Sequence, residues 1–191
     1  NMCGITGFWD LNKKRSNDLD VNIKNMTDCL YNRGPDDKGL WIDKKNCIAF
    51  GHRRLSILEL TKLGKQPMFS KNKRFVISYN GEIYNYRELK KELGSLGHNF
   101  KTTSDTEVLL HAYLEWGLEC LDKLNGIFAF AIWDKPKTRL WLVRDPFGVK
   151  PLFFSDWKGK IIFGSEIPAL FHFPDLPQDH DPFGMDSFFT F

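Results

Sequence analysis

The sequence predicts an α+β fold in which antiparallel sheets are covered by helices. Short apolar runs of period two recur along the chain and are joined by tight turns. Two adjacent segments near the middle instead carry an apolar stripe at helical spacing. That mixture of alternating strands and amphipathic helices fits antiparallel sheets with helical covers better than a parallel βαβ sheet. At 191 residues and 42% hydrophobic, with 17 phenylalanines, the chain can bury one sizeable core.

Residues 3–9 (CGITGFW) read as a strand with Cys3 at its start. Val21, Met26 and Leu30 are spaced for a helix over 21–31, which the breaker Arg33-Gly34-Pro35-Asp36 ends. Strands are expected at 39–42, 46–50 and 55–58. A polar stretch with Gly64 and Pro67 then leads to a strand over 75–79. Leu89, Leu93 and Leu96 place a helix at 86–96, stopped by Gly97. Ser104 begins a second helix as the first residue of a Ser-x-x-Glu capping box completed by Glu107. Val108, Leu109, Ala112, Tyr113 and Trp116 form its stripe, and Gly117 closes it. Strands at 126–133 and 140–143 flank a turn at 135–138; strands at 152–155 and 161–163 flank another at 156–159. After Phe173 the segment PDLPQDHDPFG reads as a linker.

Composition excludes several function classes. A net charge of +3 is too small to argue for nucleic acid, and the short basic runs at 13–15 and 71–74 read as solvated turns. Cys3, Cys29, Cys47 and Cys120 form no C-x-x-C pair, so neither a metal site nor a disulfide framework is expected. Cys29, Cys47 and Cys120 read as buried thiols. No apolar run reaches membrane-spanning length, and a reduced, cytoplasmic setting follows as the expectation.

Four short motifs carry candidate chemistry: Cys3-Gly4-Ile5, Arg53-Arg54-Leu55-Ser56-Ile57, Asn80-Gly81-Glu82 and Ser104-Asp105-Thr106-Glu107. Each has a bland alternative: Asn80-Gly81 is a strong hairpin-turn signal, Ser104 an N-cap, and Arg54 a surface charge. Together they describe a receptor for a free amino acid. Glu82 and Asp105 suit an α-ammonium, and the planar fork of Arg54 suits an α-carboxylate. The Asn80 amide and the Gly81 N–H suit an oxyanion hole for a carbonyl attacked by Cys3. A cysteine at an amino terminus combines a thiol with an α-amine of pKa near ~8, as nucleophile and base on one residue. The amino acids with an electrophilic side-chain amide are glutamine and asparagine. His52 beside Arg53 offers a Cys–His alternative that a terminal-amine mechanism does not need.

In order, MCGITGFWD, NRGPDDKG, GHRRLSILEL, QPMF, YNGEIYNYRELKKEL, TSDTEVLLHAY, LNGIFAFAIWD, RDPFGVKPLFF and FGSEIPAL resemble the class II glutamine amidotransferase domain of the asparagine synthetase family, over residues 2–173. The resemblance implies an N-terminal-nucleophile hydrolase fold, a four-layer αββα sandwich of two antiparallel sheets, over 3–173. Residues 174–191 would then be a linker and the start of a C-terminal synthetase domain. It also implies that Cys3 is the nucleophile and that Asn80 and Gly81 form the oxyanion pair. Arg54, Ile57, Glu82 and Asp105 would bind the substrate. Glutamine would be hydrolysed to glutamate and ammonia through a thioester, without a metal or cofactor in this domain. ATP and magnesium are expected only for the synthetase domain that would use the ammonia.

The expected partners are glutamine and that synthetase domain, with neither nucleic acid nor membrane. A homodimer is an open alternative to a monomer. Arg33-Gly34-Pro35-Asp36 and Arg144-Asp145-Pro146 read as turn and packing elements. Asn1 before Met2 reads as the scar of an expression tag, and retention of Met2 would remove the free amine of Cys3. The alternatives are a non-catalytic glutamine-binding module of the same fold and a peptidase that activates itself by internal cleavage.

Overall fold

The computed structural model describes residues 3–12, 18–55, 64–174 and 176–178. Strand β1 (Gly4–Asp10) leads to helix α1 (Leu19–Cys29), then β2 (Asp37–Asp43), β3 (Ile48–Arg54), the short β4 (Met68–Phe69) and β5 (Phe75–Ile83). Helices α2 (Tyr86–Ser95) and α3 (Asp105–Trp116) follow, with a 3-10 segment at Gly117–Lys123. Strands β6 (Gly126–Asp134), β7 (Arg139–Arg144), β8 (Phe153–Trp157) and β9 (Lys160–Gly164) precede the short helix α4 (Ile167–Phe171).

Two antiparallel sheets form, one in the order β2-β3-β1-β9-β8 and the other β4-β5-β6-β7. Their facing sides meet in a layer built from Ile48, Phe50 and Phe163 of the first sheet and Val76, Ala131 and Trp133 of the second. The outer side of the first sheet packs Phe8, Ala49 and Ile162 against α1 and α4. The outer side of the second packs Ile77, Tyr79, Phe130 and Ile132 against α2 and α3. Alternation along each strand therefore feeds two different apolar layers, so these strands are apolar on both faces rather than on one. Helix, sheet, sheet and helix stack in that order: the expected αββα sandwich.

Four expectations need correction. Asn80-Gly81 is not a turn: β5 runs through it to Ile83, with Asn80 opposite Ala129 and Gly81 opposite Phe128. A Cβ at position 81 would lie 2.5 Å from the Ile127 carbonyl oxygen, so close strand approach, not turn geometry, demands the glycine. Val21 is 54% exposed; α1 instead buries Leu19, Ile23 and Met26. Cys29 is only half-buried, whereas Cys47 and Cys120 are buried, and none of the four cysteines forms a disulfide. Leu96 lies just past α2 and is exposed.

Strand β3 extends to Arg54. Of the strand expected over 55–58, only Leu55 falls among the described residues, and it is not in a strand. Most of 174–191 also lies outside them, although Leu176 packs against the α1 layer. No helix among the described residues is long and apolar enough to cross a membrane.

Candidate active site

Strand alternation sets the first part of the site. On β3, Arg53 faces α1: its Nε donates to the Thr27 carbonyl (3.1 Å) and its Nη2 to Asp28 (2.7 Å). Its neighbour Arg54 must point to the other side, as His52 does, whose ring reaches the Tyr79 carbonyl of the second sheet at 3.0 Å. Arg54 is buried and lines a pocket with Cys3, Leu55, Gly64, Gln66, Tyr79, Gly81, Glu82, Ser104, Asp105 and Thr106. The chain thus separates two adjacent arginines into a structural one and one that faces the pocket.

Cys3 stands immediately before β1, the middle strand of its sheet. Its Sγ accepts from the Leu55 N–H at 3.3 Å and donates to the Leu55 carbonyl at 3.6 Å. Burial raises the thiol above its ordinary pKa; the Leu55 N–H, Arg54 and Lys150 pull it down, and Asp105 pushes it up. At neutral pH the thiol is therefore largely protonated, and a base is needed to make it a nucleophile. Arg33 holds the residue from behind, its Nε on the Cys3 carbonyl (3.1 Å) and its Nη1 on Glu166 (3.1 Å).

Ser104 caps α3 by accepting from the Thr106 N–H at 3.1 Å, as expected. Glu107 does not close the box on Ser104. Its carboxylate takes the N–H groups of Lys101 and Thr102 and the Thr102 hydroxyl, while Ser104 donates its own N–H to that hydroxyl. This arrangement fixes the loop entering α3 and with it Asp105, the first residue of the helix. Asp105 is 5% exposed; one oxygen accepts from the Tyr79 hydroxyl (2.7 Å) and the Ile83 N–H (3.1 Å). Burial raises its pKa, Tyr79, Ile83 and Thr106 counter that, and Glu82 raises it further.

The pocket brings together Cys3, Arg54, Gly81, Glu82 and Asp105. Asn80 lies beside it on β5, 2% exposed, and its Nδ2 is a buried donor without a hydrogen-bond partner among the described residues. A buried amide N–H₂ without an acceptor is costly, and such a group needs an explanation. Ile57 lies outside the described residues. His52 does not line the pocket. Burial pushes its pKa down to about 4, and because the Tyr79 carbonyl can only accept, Nε2 carries the proton of a neutral ring. Among the described residues no group of three or more His, Cys, Asp and Glu could hold a metal ion.

Sequence reasoning missed the supporting residues. Gln66 clamps the Tyr79 backbone from both sides, its Oε1 on the N–H (2.7 Å) and its Nε2 on the carbonyl (3.1 Å). Tyr79 in turn holds Asp105. Arg33 holds the Cys3 carbonyl, a contact that the turn-and-packing reading of its motif did not include. The only signal for it was an arginine directly preceding Gly-Pro.

This architecture, an αββα sandwich with a cysteine at the head of a central strand, is shared by solved structures. The glutamine phosphoribosylpyrophosphate amidotransferase of B. subtilis shares it at a TM-score of 0.73 and 24% identity, over 87% of this chain and 42% of that one. A second solved structure, an allosteric regulatory enzyme of purine biosynthesis, shares it at 0.74 and 23%, over 89% of this chain and 43% of that one. The sequence matches the glutamine amidotransferase domain family over residues 2–191, and the chain belongs to that family. It is 45% identical over 98% of its length to asparagine synthetase 3 [glutamine-hydrolyzing] of Bacillus subtilis. It is 38% identical over 88% of its length to asparagine synthetase B of Escherichia coli. In both cases it spans 30% of the relative.

Proposed function

We propose that the domain hydrolyses free glutamine, with Cys3 as nucleophile, Asn80 and Gly81 as oxyanion donors, and Arg54, Ile57, Glu82 and Asp105 as the substrate receptor. The observation that carries this reading is the buried Asn80 Nδ2, without a hydrogen-bond partner among the described residues, beside a pocket walled by Cys3, Arg54, Glu82 and Asp105. A donor left without an acceptor in the resting site is preorganised for charge that appears only during reaction. Arg54 takes the α-carboxylate through its fork, and the two acidic side chains take the α-ammonium. That fixes the distal amide of the substrate over Cys3.

The Cys3 α-amine accepts the thiol proton as Sγ attacks the amide carbon. A C–S bond forms and the carbonyl electron pair moves to oxygen, where Asn80 and Gly81 donate to it. Collapse breaks the C–N bond; the nitrogen takes the proton back from the α-amine and leaves as ammonia. Water then attacks the γ-glutamyl thioester, releasing glutamate and restoring the thiol. The ammonia would pass to an ATP- and magnesium-dependent synthetase domain, in the cytoplasm. Support for that acceptor is the family membership and the relatives' greater length.

The test is glutamate release from glutamine by chain prepared to begin at Cys3, beside Cys3→Ala. Release by the first and not by the second is expected. Equal release by both would exclude Cys3 as nucleophile.

A further inference from the structure

Tyr79 joins two parts of the pocket that come from different elements. It is 3% exposed and stands on β5 next to Asn80, with its ring in the apolar layer under α2 and α3. Its hydroxyl crosses to α3 and donates to Asp105 Oδ2 at 2.7 Å, the oxygen that also accepts the Ile83 N–H at 3.1 Å. One oxygen of the carboxylate is therefore held from two directions, by a side chain of β5 and by the last residue of that strand. Burial and the adjacent Asp105 raise the Tyr79 hydroxyl well above its ordinary pKa, so it keeps the proton it donates.

The backbone of Tyr79 is fixed as firmly as its side chain. Strand β4 pairs with β5 at Val76 and Ile77; two residues on, the side-chain amide of Gln66 meets the strand instead. It accepts from the Tyr79 N–H at 2.7 Å and donates to the Tyr79 carbonyl at 3.1 Å, which the His52 ring also reaches at 3.0 Å. The same Gln66 Nε2 lies 3.5 Å from the Thr106 hydroxyl, in the first turn of α3. Gln66 is itself wedged, since a Cβ at Gly39 of β2 would come within 1.7 Å of its carbonyl oxygen. A phenol fixed at both ends has little freedom to lose when a ligand arrives, and a carboxylate held by it is oriented in advance.

We propose that Tyr79 is a positioning residue for the α-ammonium of the substrate: its hydroxyl takes Asp105 Oδ2 and thereby presents Oδ1 to the head group. This deepens the reading of Asp105 as an ammonium acceptor and rests on it. Tyr79 also lines the pocket, so a direct contact with substrate is the rival role. The two roles differ in one respect. A residue that acts through Asp105 loses its effect once Asp105 has lost its charge, and a direct contact does not.

The experiment is a double-mutant cycle on glutamine hydrolysis by chain beginning at Cys3, with Tm recorded for each variant. Tyr79→Phe should raise KM roughly 3- to 10-fold while kcat stays within about twofold. In an Asp105→Asn background the same substitution should change KM by less than about twofold. Should the phenylalanine variant not fold, Tyr79→Met removes the hydroxyl with a more adaptable side chain. Losses that multiply in the double variant would overturn the proposal and make Tyr79 a direct contact. An unchanged KM, or a fall in kcat at constant KM, would overturn it as well. Glutamine binding to the Cys3→Ala chain, followed by calorimetry, runs the same cycle without turnover. Absence of glutamate release would thus count against Cys3 alone, whereas a Cys3→Ala parent that binds no glutamine would overturn the receptor and this proposal together.

Discussion

Asp105 and Asp145 are both aspartates almost wholly removed from solvent, and they serve opposite ends. Asp145 accepts four backbone N–H groups, and these hold its carboxyl below the usual range against the cost of burial. Asp105 has the Tyr79 hydroxyl, two backbone N–H groups and Glu82 beside it, and burial prevails, so its carboxyl is raised. A charge fully met by its own chain is a structural clamp. A charge met only in part, at the wall of a pocket, has binding capacity left for a cation from outside. Position separates the two arginines as well: Arg53 is tied to Thr27 and Asp28, and Arg54 lines the pocket.

Substitution at each aspartate can break this comparison. Asp105→Asn keeps an acceptor for Tyr79 and removes the negative charge, so the fold should hold. A charge-assisted bond to the ammonium, worth about 1.5–3 kcal/mol, would be lost, lowering kcat/KM for glutamine by roughly 10- to 100-fold with Tm nearly unchanged. A large fall in Tm would make Asp105 a clamp after all. Asp145→Asn turns an N–H₂ toward backbone N–H groups, and should cost about 2–3 kcal/mol in chemical denaturation. An unchanged midpoint there would show that Arg144, donating to the Lys150 and Gly148 carbonyls, fixes the 145–150 turn alone.

His52 sharpens the comparison, since it is buried and satisfied yet has no part in the pocket. Its pKa in the folded protein is about 4, whereas the unfolded chain takes up that proton near ~6.5. Between those values the unfolded state binds more protons, so stability falls as pH drops from about 6.5 to 4 and levels off below. The loss should be on the order of 3 kcal/mol, and His52→Gln should flatten it in urea titrations at several pH values. A variant that kept the full slope would place the titration elsewhere.

Much of the fold was legible because alternation and capping act over a few residues. The hairpin of β6 and β7 and the Ser104 cap were readable from neighbours alone. Asn80-Gly81 was misread as a turn for the same reason: local preference favours a turn there, and pairing with β6 overrides it. Val21 matched a helical stripe whose Met26 and Leu30 are buried, but packing takes Leu19 and Ile23 in its place. Within the site, the types of residue were legible from chemistry, but Gln66, Tyr79 and Arg33 were not. Their roles consist of reaching another residue rather than belonging to a motif.

The sequence by itself determined that this chain carries a cysteine at a strand's start, an amide donor next to a glycine, and charges of both signs at element ends. Those follow from residue identity and short-range periodicity. Only the tertiary structure decided which arginine faces the pocket, which aspartate lies at its wall, and that the Asn80 amide has no hydrogen-bond partner among the described residues. Burial and hydrogen-bond satisfaction belong to the packed assembly, because each depends on atoms brought close by sheets whose strands are far apart in the chain.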